Sequence, residues 1–155
     1  MNLNRDFIKL IKYWIPVLFW LCIIFWFSTD TFSYEHTSRF IMPVLHFLFS
    51  RLSPQDANMM HGLIRKSAHF FVYFVLGLLL FHAFCGESSE KWSSRWAVYS
   101  VILVIFIAMS DEYHQSFIPS RTSSPVDVLI DSASGIFSQI VILLKEKTFN
   151  NISEG

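Results

Sequence analysis

Four stretches of this chain are long and apolar enough to cross a bilayer, and that leaves few folds open to it. A spanning helix takes about 20 residues. The first stretch runs over residues 10–27 and contains WIPVLFWLCIIFWF; the others cover 68–85, 92–110 and 126–144. In hydrocarbon the backbone has no water to bond, so spans of this length are helices. The expected fold is all-α: an integral membrane bundle of four transmembrane helices in a single domain, 1–155, with a long loop at 29–65. Composition agrees, because 17 Phe and 5 Trp in 155 residues exceed what a soluble core of this size could hide. Arg5, Lys9 and Lys12 precede the first stretch as the n-region of a signal peptide would. Trp20 and Trp26 stand where a cleavage site would need small residues, so a retained anchor is expected.

In the long loop, Phe40, Ile41, Val44, Leu45, Leu48, Phe49 and Leu52 recur at helical spacing. This predicts an amphipathic interfacial helix around residues 43–52, lying on the membrane face or packed as a lid on the bundle. Ser53-Pro54-Gln55-Asp56 reads as an N-cap, a Pro at the first helical position and an acid in the first turn, so a helix should begin there and run into the second span. With four spans the two termini share a side. That side carries Arg5, Lys9, Lys12, Lys91, Arg95, Lys145 and Lys147, against Arg39, Arg51, Arg65, Lys66 and Arg121 on the other. The bias places both termini in the cytoplasm of a multi-pass cell-membrane protein. Twelve basic and twelve acidic residues cancel, leaving no basic face for nucleic acid. Cys22 and Cys85 lie in apolar runs and form no disulfide framework or zinc ribbon.

Ionisable residues at membrane depth are costly and usually functional. Alternation of the spans brings the end of the first, the start of the second, the end of the third and the start of the fourth to one side. Lys66, His69 and Tyr73 open the second span on one helical face, and Asp111, Glu112 and Gln115 close the third. Asp127 and Asp131 open the fourth with Gly135 on the same face, and Arg121 sits between the two helices. These residues form the expected site, at the extracytoplasmic end of the bundle. Asp127 also suits a helix first turn, after Ser124-Pro125, whereas Asp111 and Glu112 stand near a helix C-terminus, where the dipole disfavours negative charge.

Four acids (Asp111, Glu112, Asp127, Asp131) against Lys66 and Arg121 leave the cluster two positive charges short. A protonated His69 or His114, a protonated carboxyl or a bound cation would make up the difference. No cofactor is expected; a divalent cation held by carboxylates and His is one way to balance the charge, although no dense metal motif is present. Glu112, Asp111 and His69 are the candidate catalytic residues; Lys66, Tyr73, Gln115, Arg121, Asp127 and Asp131 are the candidate binding residues. Three readings stay open: a ligand-binding envelope protein, a hydrolase or transferase acting on a lipid-linked substrate with Glu112 or Asp111 as base, and a structural polar network.

The segments Lys66-x-x-His69-Phe70-x-x-Tyr73, Asp111-Glu112-x-x-Gln115-x-Phe117 and Arg121-x-x-Ser124-x-x-Asp127, in that order, resemble the VanZ-like family of bacterial integral membrane proteins. The resemblance covers residues 28–135 and departs at Asp131, where the family commonly carries Asn. It implies a small membrane protein of the cell envelope. The founding member is associated with low-level resistance to the glycopeptide teicoplanin, so a glycopeptide or a lipid-linked cell-wall component is the implied partner beside the bilayer itself.

Overall fold

A computed structural model describes residues 3–86, 92–121 and 123–153; Lys91, used above for orientation, lies outside them. Among the described residues there is no strand. The helices are α1 (Leu3–Phe27), α2 (Tyr34–Leu48), α3 (Pro54–Cys85), α4 (Ser94–Gln115) and α5 (Pro125–Ser153), with a 3-10 turn at Asp30–Phe32 between α1 and α2. α1, α3, α4 and α5 are the four helices long and apolar enough to cross a membrane.

α3 is the axis of the bundle. Its Tyr73, Leu76, Leu80 and Ala83 meet Val17 and Ile24 of α1 and Val104 and Ala108 of α4 in one core. On α1, Val17, Trp20 and Ile24 follow a helical stripe toward α3, and the Trp20 indole donates a 2.9 Å hydrogen bond to the Val72 carbonyl. α5 is built inside out relative to a helix of a soluble protein. Its buried face is Asp131, Ser134, Gly135, Ser138 and Gln139, while Leu129, Ile136, Phe137, Ile140 and Leu144 are exposed. Such a face suits lipid, where small residues allow close approach and buried polar groups bond across helices. A Cβ on Gly135 would lie 2.7 Å from Val104 Cγ1, and one on Gly77 would lie 3.1 Å from Ser138 Cβ, so both glycines set helix spacing. Across that α3–α5 contact Gln139 Nε2 donates to the Gly77 carbonyl at 3.0 Å.

Two local readings of the sequence meet different outcomes. α3 begins where Ser53-Pro54 places it: the Ser53 hydroxyl accepts from the Asp56 N–H at 3.2 Å. Its 32 residues extend about 48 Å. That exceeds the ~30 Å hydrocarbon layer by roughly a dozen residues. The helix expected at 43–52 instead spans Tyr34–Leu48. Ser33 supplies the N-cap, accepting from the His36 N–H at 3.4 Å, and Pro43 is carried inside the helix rather than starting it. Residues 49–53 form a turn closed by Leu52 N–H to the Phe49 carbonyl. Leu45 is buried, whereas Phe40, Val44, Phe47 and Leu48 are exposed.

Candidate functional site

The site end of the bundle is assembled from the C-termini of α1 and α4, the outer part of α3 and the first turns of α5. The polar residues there divide by whether their hydrogen bonds are met. Arg121, buried in the α4–α5 connection, donates through Nη2 to the carbonyls of Phe27 and, at 2.7 Å, of Thr29. The Phe27 carbonyl is at the end of α1, where a cation also suits the dipole, and the Thr29 carbonyl opens the 3-10 turn that follows. Burial, with Arg65 nearby, pulls the Arg121 guanidinium below its ordinary pKa. It still holds its proton at any physiological pH. The adjacent Ser120 hydroxyl donates to Asp30, completing a latch between the α4–α5 connection and the end of α1. Glu112 Oε2 accepts a 2.8 Å bond from the N–H of Ser124, the residue before α5. Asp111 Oδ2 accepts from Gln115 Nε2 one turn on, at 3.0 Å.

Of the other members, Asp131 and Tyr73 are buried, His69 and Asp127 are half-buried, and each has a polar side-chain atom without a hydrogen-bond partner. Asp131 is 0% exposed and neither carboxylate oxygen has a hydrogen-bond partner. His69 Nδ1 stands 3.5 Å from its Oδ2, at the outer limit of hydrogen bonding. The Tyr73 hydroxyl, 1% exposed as a residue and within electrostatic reach of Asp111 and Asp131, also has no partner. Asp127 is half-buried with an unpaired Oδ1. Lys66 is exposed, and lies on the rim of the cluster rather than inside it.

Two cavities open beside these groups. The inner one, about 220 Å³, lies among α1, α2, α3 and α4; its apolar wall includes Ile24, Phe27, Phe32, Ile41 and Val72, and its polar end is His69, Tyr73, Asp111 and Gln115. The outer one, about 250 Å³, is lined by Tyr34, Gly62, Arg65, Lys66, His69, Ser120, Ser124 and Asp127. Arg65 and His69 line both.

Arg65 is the residue that reading the sequence missed. It counts there only as a flanking charge, yet Arg65, His69 and Tyr73 fall at i, i+4 and i+8 and share a helical face, as Lys66, His69 and Tyr73 do. Its Nη1 is 3.5 Å from the Phe32 carbonyl, and Asp127 is within its electrostatic reach. His61, too, is fully buried: its Nε2 is 3.1 Å from Thr37 Oγ1 and its ring centroid 4.4 Å from that of Tyr34, pinning α2 to α3. Among the described residues no group of three His, Cys, Asp or Glu side chains is placed to hold a metal ion.

A family model described as VanZ/LLP1 matches residues 13–146. No curated protein and no solved structure matches the chain.

Proposed function

The chain belongs to the VanZ-like family, and from that premise we propose that it acts in the bacterial cell envelope through the polar site at the junction of α3, α4 and α5, with that end facing outward and both termini in the cytoplasm. Its partner in this reading is a glycopeptide such as teicoplanin or a lipid-linked cell-wall component. The observation that carries the reading is the His69–Asp131 pair: a carboxylate with no exposed surface, no hydrogen bond and a single imidazole at 3.5 Å, beside a 220 Å³ cavity. A buried charge left this poorly satisfied is expensive unless something else selects it. Asp111 and Tyr73 extend the same wall.

A purely structural role is favoured for two of the residues, Arg121 and Glu112. The first bonds the carbonyls of Phe27 and Thr29 at and just after the end of α1, and the second has one oxygen committed to the backbone ahead of α5. Its other oxygen, Oε1, is buried without a hydrogen-bond partner; the binding reading stands ahead of the hydrolytic one because the acid with neither oxygen bonded is Asp131, paired with a cavity-lining His69.

The test is a deletion strain complemented with wild type, His69→Ala or Asp131→Asn, with teicoplanin susceptibility and membrane levels measured together. Wild type is expected to restore the parental susceptibility while both variants, at equal membrane levels, do not. Full restoration by both variants would sink the proposal.

A further inference from the structure

The two cavities are ordered along α3 by depth. The outer one uses Gly62, Arg65, Lys66 and His69; the inner one uses Ile64, Arg65, Ala68, His69, Val72 and Tyr73, reaching about one turn further along the helix. If the last 20 residues of α3 cross the hydrocarbon, Lys66 falls at its boundary and Arg65 just outside it. Polarity follows the same order, with cations and hydroxyls outward and an aliphatic and aromatic wall inward. Among the described residues neither Arg65 nor Lys66 is in an ion pair within 4.0 Å. With Asp127 as the one acid lining the outer chamber, Arg65 and Lys66 leave it net positive even with His69 neutral.

We propose that the two chambers form one site for an amphiphile whose phosphate head is held by Arg65 and Lys66 and whose hydrocarbon tail occupies the inner chamber. This rests on the reading of the site as a binding site and names the class of its ligand. The guanidinium presents a planar fork of donors that matches phosphate, and the ammonium adds a mobile point charge at the rim. The Ser120 and Ser124 hydroxyls and Tyr34 complete the polar wall. A cavity of about 150 Å³ lined by aliphatic and aromatic side chains suffices for a benzene ring, so 220 Å³ accommodates a longer apolar segment. The shared boundary at Arg65 and His69 is where head and tail would join.

The experiment is titration calorimetry of the full chain in phosphatidylcholine nanodiscs, with decyl phosphate as probe. Inorganic phosphate (head alone), decanol (tail alone) and decyltrimethylammonium (reversed charge) are the comparisons. Decyl phosphate is expected to bind saturably and at least tenfold more tightly than any of the three. Loss of a hydrogen bond to a charged group weakens binding on the order of tenfold, the effect expected for Lys66→Gln. Arg65→Gln/Lys66→Gln should lose about a hundredfold, and Ala68→Phe, which intrudes on the inner chamber, should weaken decyl phosphate to the level of inorganic phosphate. Lys66 is exposed, so its variant folds and remains decisive if the double variant does not. Unchanged binding by Lys66→Gln, equal binding of decyltrimethylammonium, or inorganic phosphate binding as tightly as decyl phosphate each overturns the proposal. If decyl phosphate fails to bind while His69→Ala still abolishes the phenotype, the ligand class is wrong and the envelope function stands. If binding holds but the phenotype ignores His69 and Asp131, the converse follows.

Discussion

Replacing His69 by Leu should destabilise the bundle far more than replacing His69 and Asp131 together. Asp131 has no solvent exposure and no hydrogen bond, and the His69 imidazole 3.5 Å away is its nearest potential cation. Two unit charges at that distance attract by about 5 kcal/mol at an effective dielectric of 20. Desolvation opposes this with several kcal/mol per ion, so the intact pair contributes little net. Removing His69 alone leaves the desolvation with nothing to offset it, at a cost of about 3–5 kcal/mol. At roughly 2–4 °C per kcal/mol for a chain of this size, the Tm of His69→Leu should fall by about 6–20 °C. Asp131→Leu should fall less, since a neutral imidazole is tolerated better than a lone carboxylate. His69→Leu/Asp131→Leu should return to within a few degrees of wild type, or exceed it. The assay is thermal unfolding of the purified full chain in maltoside detergent, followed by tryptophan fluorescence, with each variant scaled to the same monodisperse peak. A double variant whose loss equals the sum of the two single losses would show the pair uncoupled. That result would refute the account of Asp131 as a charge kept in place by His69.

The structural residues make their own predictions. Arg121→Gln should lower Tm and raise protease sensitivity near residue 29, with Arg121→Lys only a partial rescue because an ammonium lacks the fork that reaches two carbonyls. Glu112→Gln keeps an acceptor for the Ser124 N–H and should stay near wild type in Tm, whereas Glu112→Ala should lose about 1–3 kcal/mol, read as the difference between the two unfolding curves. Gly135→Ala drives a methyl into Val104 and should cost about 1–3 kcal/mol in Tm measurements, recovered in part by Val104→Ala. In a Cys22→Ser/Cys85→Ser background, an environment-sensitive dye at Phe47→Cys should report an apolar setting in nanodiscs and a polar one in detergent-free amphipol; the same dye at Arg39→Cys should stay polar in both.

The spans were legible because each rests on a composition that only lipid tolerates, and their ends at Phe27 and Cys85 come from punctuation the chain prints plainly, with Ser-Thr after one and Gly86 at positive φ after the other. α2 was legible as a helix and misplaced by nine residues at its start. Pro43 looks like a first-turn residue by local rule, but a Ser33 hydroxyl that bonds the His36 N–H starts the helix earlier, and the helix carries the proline within it. Which polar residues would be satisfied could not be read at all. Asp111 and Glu112 are neighbours with the same chemistry, yet one oxygen of Glu112 meets a backbone N–H twelve residues away while Asp111 bonds within its own helix. Such pairings depend on how α4 and α5 close, which no spacing rule encodes. Arg65 was hidden for a different reason: Lys66 beside it shares the same helical face with His69 and Tyr73, and only the packing, which leaves Lys66 exposed and puts Arg65 in the wall of both chambers, tells them apart.

Those pairings change what the charge deficit means. The sequence sets four acids against Lys66 and Arg121, a gap of two charges. Arg65 enters the cluster through the outer chamber and reduces the gap to one. Arg121 in turn spends its Nη2 hydrogen bonds on the Phe27 and Thr29 carbonyls, so it balances the cluster only at a distance. Glu112 and Asp111 each hold a hydrogen bond that stabilises negative charge without any cation, which leaves Asp131 as the buried acid with no hydrogen bond at all. Its charge is met by His69 or by nothing. His69 lines both chambers, so whatever enters either chamber acts on the one acid whose balance is not already fixed by the fold. In the proposed binding, an anion held by Arg65 and Lys66 and the carboxyl of Asp131 would face the same imidazole, so substitution of His69 should affect both the ligand and the buried acid.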